Sequence, residues 1–252
     1  SAISVVDLWI ENEAGELVAS IAGFTVRSAA RGDLERALAG SGGPKTQIFR
    51  RGWKEIEPQG GNIAGPCLVV GRAAGLGPAF ADALTAVGVT AAFAAVEDES
   101  GFDAVLANTQ PAPAWVIDCG LADSKGGSDA PSNAAAAYGR TLKLIQAMAA
   151  SAPLAGLGLL TLGAQAVGPG DPSDPAQAAV LGLARTAEAE RPQAPVLRLD
   201  LDPWAPTALA QAVDVFVSLA GVESEAAIRH GAVFAPRLDT FEARAESDPA
   251  WR

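Results

Sequence analysis

From residue 67 to residue 238 the chain alternates short apolar runs with segments of helical pattern. The first run, at 67–70, leads through a turn into a predicted helix at 78–87. Short uninterrupted apolar runs are typical of parallel strands buried on both faces, and strands that alternate with helices require right-handed crossovers. The sequence therefore predicts an α/β fold built on a doubly wound parallel sheet. Further strands are predicted at 90–96, 115–119, 158–162, 196–201, 225–229 and 233–238, and further helices at 102–106, 134–150, 175–189 and 207–220.

A β-hairpin precedes this region. Residues 5–10 and 17–21 are rich in Val, Ile and Leu, and they flank a polar turn. Because an isolated two-stranded hairpin is only marginally stable in water, we expect this one to be the tail of a preceding domain. The predicted organisation has three parts. A hairpin with a linker occupies 1–40 and includes a charged helix at 33–38. An α/β domain covers 47–238 and begins with a strand at 47–56, and an exit linker follows at 239–252.

The charge and the scarcity of reactive side chains exclude several classes of function. The formal net charge of -11 argues against nucleic acid, which requires clustered Lys and Arg. Cys67 and Cys119 lie in apolar runs and are interpreted as small buried hydrophobes, so no disulfide or metal site is predicted. The only histidine, His230, is assigned to a surface turn. Every apolar stretch is interrupted before it could span a bilayer, and no signal peptide is recognisable, so we expect a cytoplasmic protein without a membrane partner.

A glycine-rich turn follows the strand at 67–70. Gly71, Gly75 and Gly77 are the candidate cofactor-binding residues, because such glycines let the backbone approach a pyrophosphate at the start of a helix. At the end of the next strand, Glu97 and Asp98 would repel the 2′-phosphate of NADP, although either could bind the ribose of NAD. The favoured alternative is that these glycines only pack the helix against the strand, which makes the loop a vestige.

The residues needed for proton transfer are not found together. The glycine turn resembles that of the short-chain dehydrogenases, and this resemblance implies a serine and a tyrosine that polarise and protonate the substrate carbonyl, with a lysine that lowers the pKa of the tyrosine. The only tyrosine, Tyr138, precedes the strand at 158–162, whereas a catalytic tyrosine should follow it, and Lys143 is one position too far along the helix. We interpret Tyr138 as a packing residue with its hydroxyl at the surface. The acidic pairs Glu188 with Glu190 and Asp200 with Asp202 are interpreted as a solvated helix end and as strand-end residues without a catalytic partner.

Several motifs in one order resemble the structural subdomain of polyketide synthase ketoreductases and their pseudo-ketoreductase relatives. The most specific is Leu-Thr-Leu-Gly-Ala-Gln-Ala-Val-Gly at 160–168. The glycine turn resembles the short-chain dehydrogenase pattern Thr-Gly-x-x-x-Gly-x-Gly, with Val70 at the threonine position. This resemblance covers roughly residues 47–238 and implies a truncated Rossmann-like fold, while residues 3–38 resemble the last hairpin and exit linker of a double-hotdog dehydratase. The other matching segments are 48–53, 174–185, 188–192, 199–203 and 229–238.

The resemblance also implies that catalysis has been lost. In the catalytic subdomain of these enzymes one helix reads Gln-Ala-x-Tyr-x-x-x-Asn. Here Val180 stands at the tyrosine position and Ala184 at the asparagine position, while Thr161 and Leu162 stand where the serine would be. The isolated fragment is then not an enzyme but a noncatalytic scaffold within a multidomain acyltransferase and reductase assembly.

Cofactor and partners follow from the same resemblance. No cofactor is expected in this fragment beyond weak binding of NADP(H) or NAD(H), because NADPH serves the catalytic subdomain elsewhere in the parent. The implied partners are that catalytic ketoreductase subdomain and the dehydratase of one homodimeric megasynthase, which processes carrier-bound β-keto acyl chains. The resemblance leaves open whether an enoylreductase is a further partner, because either an enoylreductase or the catalytic subdomain can come next in such a synthase.

Two other functions remain open from the sequence. One is an NAD(P)H-dependent β-ketoacyl reductase that has kept its nucleotide-binding loop and uses unconventional residues. The other is recognition of the acyl carrier protein, against which the acidic charge argues, since carrier proteins are usually acidic themselves.

Overall fold

The computed structural model describes residues 3–12, 14–27, 48–123, 130–151, 156–171, 173–204 and 208–241. The chain divides into two compact units, one made from its two ends and the other from Arg50–Asp239. The helix predicted at 33–38, the linker part of the predicted 1–40 segment from residue 28 onwards, and residues 242–252 of the predicted exit linker lie outside the described residues. Residues 239–241, which the sequence analysis also assigns to the exit linker, belong instead to the last strand of the structure. Of the helices described, none is long and apolar enough to cross a membrane.

The hairpin is formed by β1 (Ile3–Glu11) and β2 (Leu17–Arg27), which pair antiparallel. Asn12 holds the turn, since its side-chain oxygen accepts hydrogen bonds from the amides of Ala14 at 3.0 Å and Glu16 at 2.9 Å. The predicted hairpin is confirmed, and both strands are longer than the apolar pattern indicates.

Eight strands form the main sheet, in the order β3-β10-β9-β8-β7-β6-β4-β5. The pairs from β5 across to β9 are all parallel, and β10 runs antiparallel to β9. This confirms the predicted α/β fold with a Rossmann-like, mostly parallel sheet. The strands are β3 (Ile48–Glu55), β4 (Cys67–Gly71), β5 (Ala91–Ala95), β6 (Trp115–Asp118), β7 (Gly156–Leu162), β8 (Val196–Leu201), β9 (Glu225–Arg229) and β10 (Ala232–Phe241).

Helices connect the parallel strands. The helix predicted at 134–150 begins earlier than expected, because α3 already starts at Ala130 and includes Pro131 and Ser132 in its first turn. Residues 96–114, between β5 and β6, contain a short 3-10 turn and one helix but no strand, so β5 is the last strand at its edge of the sheet. The helices are α1 (Gly77–Ala86), α2 (Phe102–Asn108), α3 (Ala130–Ala150), α4 (Pro175–Glu190) and α5 (Leu209–Leu219).

Two apolar cores lie on opposite faces of the sheet. Alternate residues of β4 enter different cores, Val69 packing with Phe80 and Phe216, and Leu68 packing with Leu144. Phe216 makes edge contacts with both Phe80 and Trp115, at ring-centroid distances of 6.0 Å. Apolar burial on both faces explains why the strands of this sheet show uninterrupted apolar runs.

Both cysteines are free and buried, as predicted. Burial raises the pKa of Cys67 to about 11 and raises the pKa of Cys119 further from its ordinary range, with the charges of Asp118 and Asp123 adding to that effect. Neither thiol is therefore a reactive thiolate at neutral pH.

Candidate functional site

A cleft lies at the carboxyl ends of β4, β5, β6 and β7. Open α/β sheets bind their ligands at this edge. The cleft contains two cavities of about 630 Å³ and about 890 Å³. Both cavities are lined by Arg72, Glu97, Asp123, Asp174 and Gln177. Three of these five side chains are carboxylates, so the cleft that could admit a nucleotide has acidic walls.

The glycine turn borders this cleft, but its glycines contact other parts of the chain. A side chain at Gly77 would lie 2.5 Å from the Phe93 ring on β5, which makes this glycine a packing position between α1 and the sheet. A side chain at Gly75 would collide with the carboxylate of Asp123. Gly71 has ordinary space around it, with Cys119 3.5 Å from the position of a Cβ atom.

Two carboxylates of the chain accept the amide hydrogens of the glycine turn. Asp123 Oδ1 accepts from the amide of Leu76, the N-cap of α1, at 2.7 Å. Glu97 Oε1 accepts from the amide of Ala73 at 2.9 Å. Amides at a helix start are the groups that bind a pyrophosphate in a dinucleotide-binding turn. In this chain those groups already bind internal anions.

An arginine lines the neighbouring part of the cleft. Arg140, from α3, donates to the fully buried Asp118 at 2.9 Å and 3.1 Å, and to the Val96 carbonyl at 3.0 Å. Its guanidinium lies directly over Gly120 and 4.9 Å from the centroid of the Phe102 ring. The sequence analysis missed this pair. The signal that could have found it is Asp118 itself, an acid at the end of an otherwise apolar buried strand.

The three positions where the resemblance implies lost catalytic groups lie in two different environments. Leu162, at the end of β7, lines the larger cavity, and its amide donates to Gln177 Oε1 at 2.7 Å. Val180 and Ala184, on α4, are fully buried in the core that α4 shares with α3. None of the three side chains carries a group that can donate or accept a proton.

Tyr138 is 42% exposed on α3, as predicted, and it is not among the described residues that line the two cavities. His230 lies in the turn between β9 and β10 with a positive φ of 49° and a side chain that is 71% exposed, which confirms the predicted surface turn. Neither side chain contributes to the cleft.

The structure confirms Asp200 as a strand-end residue, near the end of β8, but sequence analysis did not identify the residues that bind it. Asp200 is buried in an ion pair with Arg229 of β9, and its Oδ1 also accepts from Thr161 Oγ1 at 2.7 Å and from the amide of Ala164 at 2.8 Å. A second carboxylate, Asp171, lies 3.6 Å from Arg229 Nε. Burial opposes the ionisation of Asp171, but the amides of Gly168 and Val167 and the charge of Arg229 lower its pKa overall.

Asp202 also has partners. It accepts hydrogen bonds from the amides of Trp204 at 2.8 Å and His230 at 2.6 Å, and so fixes two turns at this edge of the sheet.

The solvated helix end predicted for Glu188 and Glu190 is confirmed for Glu190, which is exposed, but Glu188 is only 28% exposed. Glu188 pairs with the buried Arg198 at 2.9 Å and accepts a hydrogen bond from Ser224. Sequence reasoning missed both acidic networks because the partners of Asp200 and Glu188 lie 10 to 39 residues away along the chain. Among the described residues, no three His, Cys, Asp or Glu side chains are grouped so that they could bind a metal ion.

Comparison with known proteins gives consistent matches. Residues 53–238 match the family described as polyketide synthase extender module SpnB, Rossmann fold domain. The chain is 32% identical over 247 residues to polyketide synthase GfsB of Streptomyces halstedii, an alignment of 94% of this chain and 4% of that protein. It is 43% identical over 128 residues to the spectinabilin polyketide synthase system protein NorA of Streptomyces orinoci, covering 50% of this chain and 6% of that protein.

Solved structures agree with these matches. A C2-type ketoreductase from a modular polyketide synthase has 27% identity and a TM-score of 0.61, over 81% of this chain and 46% of that chain. An A1-type ketoreductase has 28% identity and a TM-score of 0.60, over 80% of this chain and 43% of that chain. The chain thus spans less than half of these ketoreductases, and only 4% and 6% of the two synthases.

Proposed function

The chain belongs to the family of Rossmann-fold domains found in polyketide synthase extender modules, and from that premise we propose that it is a noncatalytic scaffold of the ketoreductase region. It is a ketoreductase-like domain of a multidomain enzyme. In this proposal the domain supports a catalytic ketoreductase subdomain that reduces carrier-bound β-keto acyl chains, and the proton transfer and hydride transfer take place in that other subdomain.

The observation that carries the proposal is that carboxylates of the chain itself accept two amide hydrogens of the glycine turn. Asp123 and Glu97 bind the amides of the glycine turn, and Arg140 lies over Gly120. A pyrophosphate would have to displace both carboxylates or lie beside them, and like charges at such distances repel strongly. The residues present therefore do not fit a nicotinamide dinucleotide, and we assign no step to one. Gly71, Gly75 and Gly77 are then vestigial as cofactor-binding residues.

The positions of Leu162, Val180 and Ala184 support the same proposal. Reduction of a ketone requires a donor that protonates the developing alkoxide. An aliphatic side chain at each of the three positions supplies none, and two of them are enclosed in apolar core. Installing a single tyrosine at position 180 would bury a hydroxyl among aliphatic side chains instead of placing it in the cleft.

The second candidate, a reductase that still binds NAD(P)H, is favoured by one observation. The glycine turn stands at the carboxyl edge of the sheet with α1 directly behind it, beside a cavity of about 890 Å³. The two candidates differ in whether the acidic groups that fill the turn can be displaced.

A titration separates them. We expect NADPH or NADH, added to the chain at up to roughly 1 mM, to show no change in nicotinamide fluorescence, and a model β-keto thioester to show no cofactor oxidation. A ketoreductase with an intact catalytic subdomain serves as the positive control. Saturable binding with turnover would establish the reductase instead. Binding without turnover would refute the claim that the carboxylates exclude a nucleotide, but it would remain consistent with a noncatalytic domain.

The domain organisation and partners are part of this proposal. We place the dehydratase-derived hairpin and linker at 1–40, the scaffold at 47–241 and an exit linker at 242–252. The partners are the catalytic ketoreductase subdomain and the dehydratase of one homodimeric synthase. Copurification of the chain with a separately expressed catalytic subdomain tests the first of these, and failure to copurify at low salt would contradict it.

A further inference from the structure

The edge of the sheet at β5 has unpaired backbone groups. The amide of Cys67 donates to the carbonyl of Thr90, and the amide of Val96 donates to the carbonyl of Gly71. The backbone amides and carbonyls of the even-numbered residues from 90 to 96 therefore point towards β4. The amide and carbonyl groups of Ala91, Phe93 and Ala95 therefore point to the opposite side, away from the sheet. Within the described part of the chain they have no hydrogen-bond partner, because residues 96–114 add no strand beyond β5.

This edge lacks the features that usually prevent pairing. Edge strands are commonly protected by charged side chains, proline or a bulge. The other edge strand, β3, has four charged residues, Arg50, Arg51, Lys54 and Glu55. By contrast β5 reads Ala-Ala-Phe-Ala-Ala, pairs with β4 in unbroken register, and exposes Ala92 and Ala95.

The arrangement of the free groups matches a second copy of the same strand. Three residues spaced two apart, with Phe93 in the middle, are self-complementary about a twofold axis. Antiparallel pairing centred on Phe93 would place Ala91 opposite Ala95 of the other copy and satisfy every outward amide and carbonyl of both strands. Small side chains let the two backbones approach without obstruction. The Phe93 ring does not block the edge, because it packs under α1 against Gly77.

The charged residue closest to β5 in the sequence does not oppose this pairing. Glu97 follows the strand, and in the centred register it would lie opposite the uncharged Val89. The two Glu97 residues would be eight positions apart, roughly 27 Å, which is well beyond the screening length at physiological salt.

We propose that two copies of this chain pair through their β5 strands to form one continuous sheet across a twofold axis. The inference rests on the edge of the sheet alone and does not depend on the proposed scaffold function, so either can fail without the other. A contact of two five-residue strands is small, so the dimer is expected to be weak and to assemble only at raised concentration.

Sedimentation equilibrium tests the proposal. We expect the mass of the chain to rise from one copy towards two over roughly 10 to 100 µM. Ala91→Pro and Ala95→Pro each remove an outward amide without breaking the ladder to β4, so both should remain monomeric with unchanged far-UV circular dichroism. Ala95→Ser keeps the amide and should dimerise like the wild type. A wild-type chain that is monomeric throughout this range overturns the proposal, and so does a folded proline variant that still dimerises.

Hydrogen exchange on the wild type gives an independent readout if the proline variants do not fold. The amides of Phe93 and Ala95 should become protected as the concentration rises, whereas an exposed hairpin amide such as that of Val18 should not change. Dimerisation without this protection would show a different interface. Protection that arises only on adding another protein would show a foreign strand at the edge. Either result refutes pairing of β5 with itself.

Discussion

Asp200 has a structural role that its sequence context conceals. It is 1% exposed, it binds Arg229 from the neighbouring strand, and it holds the loop after β7 through the amide of Ala164. An ion pair this deeply buried adds little net stability as a pair, but removal of one member leaves the other charge without compensation.

We predict that Asp200→Asn destabilises the chain by about 3 to 5 kcal/mol, because the buried Arg229 would lose its nearest carboxylate and keep only the more distant Asp171 at 3.6 Å. Urea unfolding at pH 7 measures this. The matched control is Asp239→Asn, which breaks an exposed pair with Lys54 at 3.2 Å and should cost less than about 1 kcal/mol. Equal losses in the two variants would contradict the assignment of Asp200 as the buried anchor.

Gly75 and Asp123 are predicted to be coupled. Gly75→Ala brings a methyl group into the Asp123 carboxylate and should cost about 1 to 3 kcal/mol. In an Asp123→Ser background the clash is relieved, so the cost of the alanine should fall by at least about 0.5 kcal/mol. Gly71→Ala, where the structure leaves ordinary space, is the control. If the losses in the free energy of unfolding caused by Gly75→Ala and Asp123→Ser are additive, the Asp123 carboxylate does not occupy the space beside Gly75.

The position of the glycine turn at the candidate site could be predicted from sequence, but the side chains that bind at this turn and line the cleft could not. Gly71, Gly75 and Gly77 located the turn because a strand, a glycine pattern and a helix follow one another directly. Asp123 and Arg140 come from segments 47 and 22 residues away from their partners, and no local pattern connects them. Acidic residues with distant partners, such as Asp200 and Glu188, look the same in a sequence as solvated ones.

At the level of elements, one charge cluster joins three strands and a helix. Glu225 at the start of β9 binds Arg51 of β3 at 2.7 Å and Arg185 of α4 at 2.8 Å, with Arg198 of β8 at 3.9 Å. Burial alone would raise the pKa of Glu225, but the hydrogen bonds and charges of Arg51 and Arg185 outweigh it and lower the pKa below its ordinary value of 4.5.

This cluster predicts a loss of stability in acid. Because the folded-state pKa of Glu225 lies below the unfolded one, its contribution is complete above the unfolded pKa and is lost as the pH falls through the folded pKa. Glu225→Gln should lower stability at pH 7 and flatten the decline in the free energy of unfolding below about pH 4.5. Glu55→Gln, at an exposed site on β3, is the control. An unchanged acid profile in Glu225→Gln would contradict the prediction.

The elements themselves followed closely from the sequence because apolar periodicity is a local property. All of the strands predicted from 67 to 238 are present, and α4 and β8 match within one residue. The start of α3 was missed because Ala130–Asn133 have the small and polar composition of a loop. The identity of β5 as an edge strand also could not be deduced from periodicity, since strand order depends on pairing between distant segments.

For the whole molecule, the sheet separates two cores that the same strands supply in alternation. Val69 and Ile117 enter one core, and Leu68 and Val116 enter the other. This alternation fixes the register of every central strand, because a slip of one residue would exchange the two sets of side chains.

The carboxylate of Asp123 on the amide of Leu76 has a consequence for how such a chain behaves in the cell. Many proteins that bind a nucleotide are stabilised by it, so their stability falls when the concentration of that nucleotide falls and rises when it rises. In the proposed scaffold role, the side chain of Asp123 supplies the anion that a bound nucleotide would otherwise supply at this turn. We then expect the stability of the domain to stay constant while the supply of reducing equivalents rises and falls.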